Sequence, residues 1–244
     1  PDDGDWGRLG VAIGRNTHLR ELDCSLLSGD KITKRDFNKF FRGVAYNRSI
    51  QKLCSCGCRF FGGETFNILV PLFKNNNSEC LEIEEYELGR EDTLSLASAL
   101  SEFGTLKDCR VVDCKMGDGA REIIQALAGH SDLRKLDLHA SGIGRDGCAA
   151  LAVLLQKPDS KLAVLYLSYN EIDEETAAIL ATGLTGNSTL QELDLSGNDE
   201  ITEAGWQAIF TALQSPSCRL EKLVLRFNPN ISDAAVLSLS QALT

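Results

Sequence analysis

One spacing of apolar residues recurs eight times along the chain. In its clearest copies a leucine is followed by apolar residues three and five positions later, and by a small or polar residue eight positions later. The copies start at Leu19, Ile50, Ser78, Leu106, Leu133, Leu162, Leu190 and Leu220, which lie 31, 28, 28, 27, 29, 28 and 30 residues apart. A nearly constant period of this length predicts a solenoid of stacked repeats.

Each copy predicts one strand and one helix. The residues at positions three and five alternate with polar ones, as Leu136 and Leu138 do, and a period of two indicates a short strand with one apolar face. An apolar pair four residues apart follows, which is typical of one face of a helix. The same kind of pair, Leu9 and Ile13, precedes the first strand. We therefore expect a helical half-repeat over residues 1–18, then eight strand–helix units, in a single array over residues 1–244 with nine helices in total.

The eighth position of each copy should lie where the chain turns from the strand toward the helix. It holds Leu27, Cys58, Tyr86, Cys114, Ser141, Asn170, Asn198 and Asn228. A buried asparagine at this point can satisfy backbone groups of the adjacent turn, and buried polar groups require such partners. Leu27 and Tyr86 depart from this pattern, so irregular turns are expected there.

The run LRKLDLHASGIG, residues 133–144, resembles a leucine-rich repeat. A period near 28 residues with a full helix is similar to the ribonuclease-inhibitor-like subclass of that family. The resemblance covers nearly the whole chain and is stronger in residues 106–244 than in residues 19–105. It implies an α/β fold, a right-handed solenoid with a parallel sheet on its concave face and helices on its convex face. It also implies protein binding without catalysis as the usual role.

The same subclass suggests two other functions. It includes the Ran GTPase-activating protein, so regulation of a small GTPase is one alternative, with Arg110 or Arg145 as conceivable arginine fingers. It also includes the sensor ends of NOD-like receptors, so a ligand-sensing segment of a larger receptor is the other. The start of the chain inside a half-repeat is the observation that favours this second alternative.

The charge of the chain limits its partners. The net charge is −10 and the pI is about 4.9, which argues against nucleic acid and anionic membrane because both require a basic protein surface. No apolar stretch approaches the length of a membrane span. We expect a protein partner, for which a basic surface would be suitable, and no small-molecule substrate or cofactor.

The cysteines indicate a compartment. There are nine, an odd number, and several fall at predicted interior positions, which favours a reducing, intracellular and cytoplasmic setting. Four glycosylation-like triplets, at Asn47, Asn76, Asn187 and Asn230, point the other way, and we interpret them as chance matches. Cys54 and Cys56 should face the concave side together with Cys80 one strand away, while Cys58 turns inward. The three exposed thiols leave open a metal site or a Cys54–Cys80 disulfide. Ordinary strand residues are the preferred interpretation.

Two further motifs resemble catalytic or cofactor-binding sites. Residues 142–147 match G-x-G-x-x-G between a strand and a helix, but the equivalent loops of neighbouring copies identify them as one version of a repeated turn. His139 follows Asp137 by two residues on one strand, yet no serine or cysteine at nucleophile spacing completes a triad. We therefore predict no catalytic residues and no metal ligands.

The outward positions of the strands form the predicted binding surface, because they differ between copies while the inward positions stay apolar. Tyr166 is the predicted aromatic contact, whereas Tyr169 and Phe227 could either contact a partner or cover the rim of the core. Carboxylates on neighbouring strands should share one surface that could bind lysine or arginine side chains. The candidate residues are Glu82, Glu84, Arg110, Lys135, Asp137, His139, Val164, Tyr166, Tyr169, Asp194, Val224, Arg226 and Phe227.

Overall fold

Strands and helices alternate from one end of the described chain to the other. The structure is a computed structural model, and it describes residues 5–25, 32–56, 63–74 and 78–242. The strands are β1 Glu21–Asp23, β2 Lys52–Cys56, β3 Cys80–Glu84, β4 Asp108–Val112, β5 Lys135–Asp137, β6 Val164–Tyr166, β7 Glu192–Asp194 and β8 Lys222–Val224. The helices are α1 Asp5–Arg15, α2 Lys34–Val44, α3 Gly63–Lys74, α4 Arg90–Leu100, α5 Ala120–Leu127, α6 Gly144–Gln156, α7 Glu174–Leu184, α8 Glu203–Leu213 and α9 Asp233–Ala242.

The eight strands form one parallel sheet in chain order, from β1 to β8. Parallel neighbours require a crossover between them, and a helix supplies each crossover. The register aligns equivalent positions of successive copies, for example Leu136 with Leu165 and Leu165 with Leu193. The predicted fold class, a β-α solenoid with a parallel sheet, is confirmed.

The core lies between the sheet and the helices. Leu136, Leu165 and Leu193, the inward residues of three successive strands, are fully buried. Buried residues form a continuous cluster that runs from Leu22 to Ala235, so each copy buries its apolar face against its neighbours. Burial of one such side chain contributes roughly 1.5–3 kcal/mol.

Asparagine side chains join successive turns into a ladder. The amide oxygen of Asn198 accepts hydrogen bonds from the backbone N–H groups of Asn170 (3.0 Å) and Ile172 (3.3 Å) in the preceding copy. Its Nδ2 donates to the carbonyls of Leu167 and Leu195, at 3.0 Å each. Asn170 and Asn228 make equivalent bonds, which confirms the predicted role of the eighth position. Leu27 and Cys58 lie outside the described residues.

Glycines bring two pairs of convex helices into close contact. A Cβ atom on Gly43 of α2 would lie 2.3 Å from the carbonyl carbon of Gly10 in α1. A Cβ atom on Gly183 of α7 would lie 2.5 Å from the Cα of Ala152 in α6. Since real Cβ atoms do not approach this closely, these helix backbones pack against each other directly. In the described part of the chain, no helix combines the length and the apolar character needed to cross a bilayer.

His130, in the turn after α5, makes the fold sensitive to acid. Its Nε2 lies 2.9 Å from the carbonyl oxygen of Leu100, and burial lowers the pKa of the imidazole even though this hydrogen bond raises it. The unfolded chain therefore takes up this proton at a higher pH than the folded chain does. The stabilisation is complete above the unfolded pKa, near 6.5, and is lost as the pH falls through the lowered folded value.

We therefore expect the free energy of unfolding to decrease between pH 7 and pH 5, and to decrease less in His130→Gln. Urea titrations at several pH values would measure both dependences. His18→Gln, at an exposed position, is the control and should retain the wild-type dependence. An unchanged dependence in His130→Gln would contradict the assignment.

Candidate partner-binding surface

Outward side chains line up in rows across the concave face because the register is in phase from strand to strand. The central row contains the third residue of each strand and is defined by direct pairing of neighbours. Its members are Asp23, Cys54, Glu82, Arg110, Asp137, Tyr166, Asp194 and Val224. Neighbouring strands lie roughly 4.8 Å apart, so adjacent members of the row are within reach of each other.

Arg110 lies among three of the predicted acidic residues and binds all of them. Its guanidinium donates to Glu82 on β3, approaches Glu84 at 3.1 Å and donates to Asp137 on β5 at 3.2 Å. Lys52 adds a contact of 3.2 Å to Glu82. Burial opposes ionisation of Glu82, but its polar neighbours, Arg110 and Lys52 among them, outweigh it and hold the pKa below its usual value.

This network occupies the carboxylates that were predicted to form a docking patch for basic side chains. Glu82, Glu84 and Asp137 already bind a cation, and Asp137 is buried. The physical reason is the register, which pairs Arg110 with Glu82 on one side and Asp137 on the other. Because Arg110 already forms these ion pairs, it would have to break several of them before it could act as an arginine finger.

The cysteines also differ from the prediction of exposed thiols. Cys54 is buried and pairs in register with Glu82, whereas Cys80 pairs with Lys52. Both are free cysteines. Burial raises the pKa of Cys54 to about 12 and that of Cys80 to about 11, so both stay protonated at neutral pH. Thiolates, the form that binds metals, are therefore disfavoured here.

The possible metal site includes cysteines that the structure does not describe. Cys58 lies outside it, and so does the side chain of Cys56. The described residues contain no group of three or more histidine, cysteine, aspartate and glutamate side chains arranged to hold a metal ion.

Tyr166 is half-buried, and its polar group is already engaged. Its hydroxyl donates to Glu192 Oε1 at 3.0 Å, and Lys135 Nζ lies 5.3 Å from the centre of its ring. Burial and the neighbouring Glu192 raise the pKa of the phenol to about 12. Val164, two residues earlier on the same strand, and Val224, two strands away, are also half-buried. Only part of the Tyr166 ring is therefore accessible from the concave side.

Tyr169 and Phe227 are large exposed aromatic residues just past the ends of their strands. Their exposed fractions are 47% and 71%, and they occupy equivalent positions just past β6 and β8. Both have left-handed backbone conformations, with φ of 57° and 58°. The backbone N–H of Tyr169 still donates to the carbonyl of Ser196 at 2.9 Å, which extends the sheet hydrogen bonds by one residue while the chain begins to turn. This bond holds Tyr169 in a conformation that non-glycine residues seldom adopt.

Three rings form a continuous surface that we call the aromatic ledge, defined as His139, Tyr169 and Phe227. The ring of Tyr169 lies 5.3 Å from that of His139, edge to face, and 6.4 Å from that of Phe227. Gly197 lies beside it, and a Cβ atom there would come within 2.5 Å of the Tyr169 ring. Glycine at this position therefore allows the tyrosine ring to lie flat against the backbone of the next copy.

His139 has a serine partner that the sequence analysis missed. Its Nδ1 lies 2.6 Å from Ser168 Oγ, on the next coil. The spacing along the chain did not indicate this contact, because the two residues lie on different coils. Asp137 nevertheless binds the backbone N–H of His139 at 3.2 Å instead of the imidazole, and Ser168 is buried. This arrangement lacks the carboxylate–imidazole bond of a catalytic triad and orients the histidine within the ledge.

The remaining candidates surround the ledge. Arg226 is exposed, and its backbone N–H is bound by Ser196 Oγ at 3.1 Å. Asp194 is half-buried and accepts a hydrogen bond from the backbone of Ser196 at 2.8 Å. Ser168, Ser196 and Gly197 were not among the predicted residues. Each lies about one repeat length after a candidate residue, so the repeat spacing could have indicated them.

The glycine-rich loop behaves as a turn of the repeat. Gly142 and Gly144 have φ of 59° and 55°, and the backbone N–H groups of Ser141 and Ile143 donate to the side chain of Asn170. These amides are therefore not available to a phosphate. Arg145, the other conceivable finger, forms an ion pair with Glu175 of α7.

Comparisons with known proteins agree with this architecture. A sequence model described as Leucine Rich repeat matches residues 186–210. The ribonuclease inhibitor of Sus scrofa is 28% identical over 145 residues, which cover 59% of this chain and 32% of that protein. The NACHT, LRR and PYD domains-containing protein 5 of Mus musculus is 27% identical over 176 residues, 71% of this chain and 15% of that protein. Leucine-rich repeat-containing protein 73 of Rattus norvegicus is 28% identical over 218 residues, 86% of this chain and 68% of that protein.

Proposed function

We propose that this chain, a leucine-rich repeat protein of the ribonuclease-inhibitor-like type, is a non-catalytic scaffold that binds a protein partner on its concave face. The aromatic ledge is the proposed anchor of this interaction. The observation that carries the proposal is the exposure of Tyr169 and Phe227 side by side on a rigid sheet edge.

The physical argument rests on preorganisation. Large rings that are already held in place lose little conformational freedom when they bind, and tyrosine is enriched among residues that dominate interface energies. The backbone of Tyr169 is fixed by its bond to Ser196, and its ring is confined between His139 and Phe227. Exposed apolar groups that remain rigid and surrounded by charges are typical of a binding site.

The rest of the face would contribute specificity. The network around Arg110 is satisfied internally, so its main role in the proposal is to keep the centre of the face polar and to exclude unsuitable partners. Arg226 and Asp194 border the ledge and would supply the polar rim. Tyr166 and Val224 would add apolar area when the partner covers them.

Photo-cross-linking can test the proposal and identify the partner. A photoreactive phenylalanine derivative at position 227 should capture a protein from extracts of the source cells, and the same residue at position 153 should not. Val153 lies on α6 at the convex side and is 63% exposed, so it is a matched surface control.

The captured partner, once purified, gives the quantitative test. Tyr169→Ala combined with Phe227→Ala should weaken its binding by about 30-fold or more, because truncation of a hot-spot pair costs roughly 2 kcal/mol or more. Leu94→Ala combined with Val153→Ala, two exposed convex positions, should change the affinity less than about twofold. Equal affinities for the wild type and the ledge variant would refute the assignment of the ledge.

A further inference from the structure

The turns that carry the aromatic ledge also carry exposed carboxylates. Glu171 follows Tyr169 by two residues. Asp199 and Glu200 come two and three residues after Gly197, which lies beside the ring of Tyr169. All three acidic residues are exposed, and their carboxylates have no ion-pair or hydrogen-bond partner in the described part of the chain. We call Glu171, Asp199 and Glu200 the turn carboxylates.

The backbone holds two of these residues in place. Glu171 has a left-handed conformation with φ of 54°, and the backbone N–H groups of its two neighbours both donate to the side-chain oxygen of Asn198. The carbonyl of Asp199 accepts a hydrogen bond of 2.6 Å from Asn230 Nδ2 on the next coil. Each of the two carboxylates therefore starts from a fixed backbone position, as the rings of the ledge do.

The turn carboxylates lie within the reach of a long side chain that covers the rings. Two residues of chain span at most about 7 Å, so the Cα of Glu171 is within that distance of the Cα of Tyr169. The same limit places Asp199 close to Gly197. The ring centres of Tyr169 and Phe227 are 6.4 Å apart. One flat cation can therefore contact both rings, since cation–π attraction extends to about 6 Å from a ring centre.

The charge around the rings is negative. The three turns, with the strand ends that lead into them, comprise residues 166–171, 194–200 and 224–230. They contain four carboxylates, which are the turn carboxylates and Asp194, and one cationic side chain, Arg226. Four negative charges and one positive charge give this surface a formal charge of −3. Such a surface attracts a cationic group and repels an anionic one.

We propose that the aromatic ledge binds an arginine side chain of the partner protein, with its guanidinium stacked on the exposed rings and directed toward the turn carboxylates. This inference rests on the proposed function and adds the chemistry of the bound residue. Arginine suits the site better than lysine because its guanidinium is planar, stacks on aromatic rings and presents paired N–H groups to a carboxylate. A proline-rich segment would also pack on exposed rings, but it would make no use of the turn carboxylates.

A titration followed by ¹H–¹⁵N NMR tests the inference on the whole chain. The probes are three peptides with blocked termini: Gly-Arg-Gly-Arg-Gly, the same peptide with citrulline in place of arginine, and Pro-Pro-Pro-Pro. The arginine peptide should shift the amide signals of Glu171, Gly197 and Phe227 saturably, and should bind less tightly as salt increases because the charges are exposed. Citrulline has the same shape without the charge, so its peptide should bind about tenfold more weakly or less tightly still.

Substitutions of acidic and basic residues should have opposite effects on the arginine peptide. Glu171→Gln combined with Asp199→Asn should weaken its binding by about fivefold or more, whereas Arg226→Gln removes a repelling charge and should strengthen it about twofold. Glu87→Gln combined with Glu91→Gln, two exposed positions on the third coil, is the matched control. It makes the same change in net charge as the acidic double variant and should leave the affinity within about 1.5-fold. Circular dichroism verifies that the variants are folded.

The captured partner separates this inference from the proposed function. The expected result is weaker binding both in Tyr169→Ala with Phe227→Ala and in Glu171→Gln with Asp199→Asn. A loss in the aromatic variant alone would overturn the arginine assignment and leave the ledge as the binding surface. Undiminished binding in both variants would refute the ledge itself. Equal affinities for the arginine and citrulline peptides, or binding of the proline peptide alone, would also overturn the arginine assignment.

Discussion

Asn198→Leu is expected to lower the free energy of unfolding by about 4 kcal/mol, because several buried backbone groups lose their partners at once and each unsatisfied group costs roughly 1–3 kcal/mol. The side chain is fully buried. It accepts hydrogen bonds from the backbone N–H groups of Asn170 and Ile172 and donates to the carbonyls of Leu167 and Leu195. Leucine has the same branched skeleton and a somewhat larger volume, so the loss does not arise from a cavity.

Urea denaturation followed by circular dichroism measures this loss. Asn230→Leu is the matched control, since Asn230 is exposed and makes a single bond, to the carbonyl of Asp199. It should change the stability by less than about 1 kcal/mol. Hydrogen exchange should also show faster exchange of the Asn170 and Ile172 amides in Asn198→Leu, and unaltered protection there would be evidence against the ladder.

Trp206→Ala should cost about 3–5 kcal/mol, the range observed when a large buried aromatic side chain is removed and leaves a cavity. Trp206 on α8 is fully buried and stacks on Phe210, with ring centres 5.5 Å apart. Its Nε1 is buried and has no hydrogen-bond acceptor among the described residues. The residue therefore contributes apolar contacts, while its polar group contributes nothing favourable.

Trp206→Phe separates these two effects. Phenylalanine keeps much of the ring contact and removes the unpaired N–H group, so its cost should be well below that of alanine, at most about 2 kcal/mol. Thermal and urea unfolding measure both variants, with Val153→Ala on the exposed side of α6 as the control. Equal losses in Trp206→Phe and Trp206→Ala would mean that the N–H group has a partner in solution.

The order of strands and helices was predictable because one repeat must bury the same faces as the next. Leucines such as Leu136 and Leu165 mark the inward side with a period of two, and that period survives small changes in repeat length. The asparagine ladder was predictable for a similar reason, since a buried amide has few ways to be satisfied. These features depend on local spacing and on burial alone.

The surface was harder to predict because its contacts join residues one repeat apart. The repeat length varies from 27 to 31 residues, so the partner of a side chain on the next strand is known only to within a few positions. The ion pairs of Arg110 and the contact of His139 with Ser168 depend on that exact register. Cys54 illustrates the same difficulty, since it is buried at a position that faces the concave side.

The direct contact of Gly10 with Gly43, and that of Gly183 with Ala152, affects the curvature of the whole ribbon. A solenoid bends because its helices need about 8–10 Å between axes whereas its strands need only about 4.8 Å. Where glycine lets two helices pack closely, the distance between the helices approaches that between the strands, and the solenoid is less curved there. The small residues on the outer side thus help to set the radius of the inner surface.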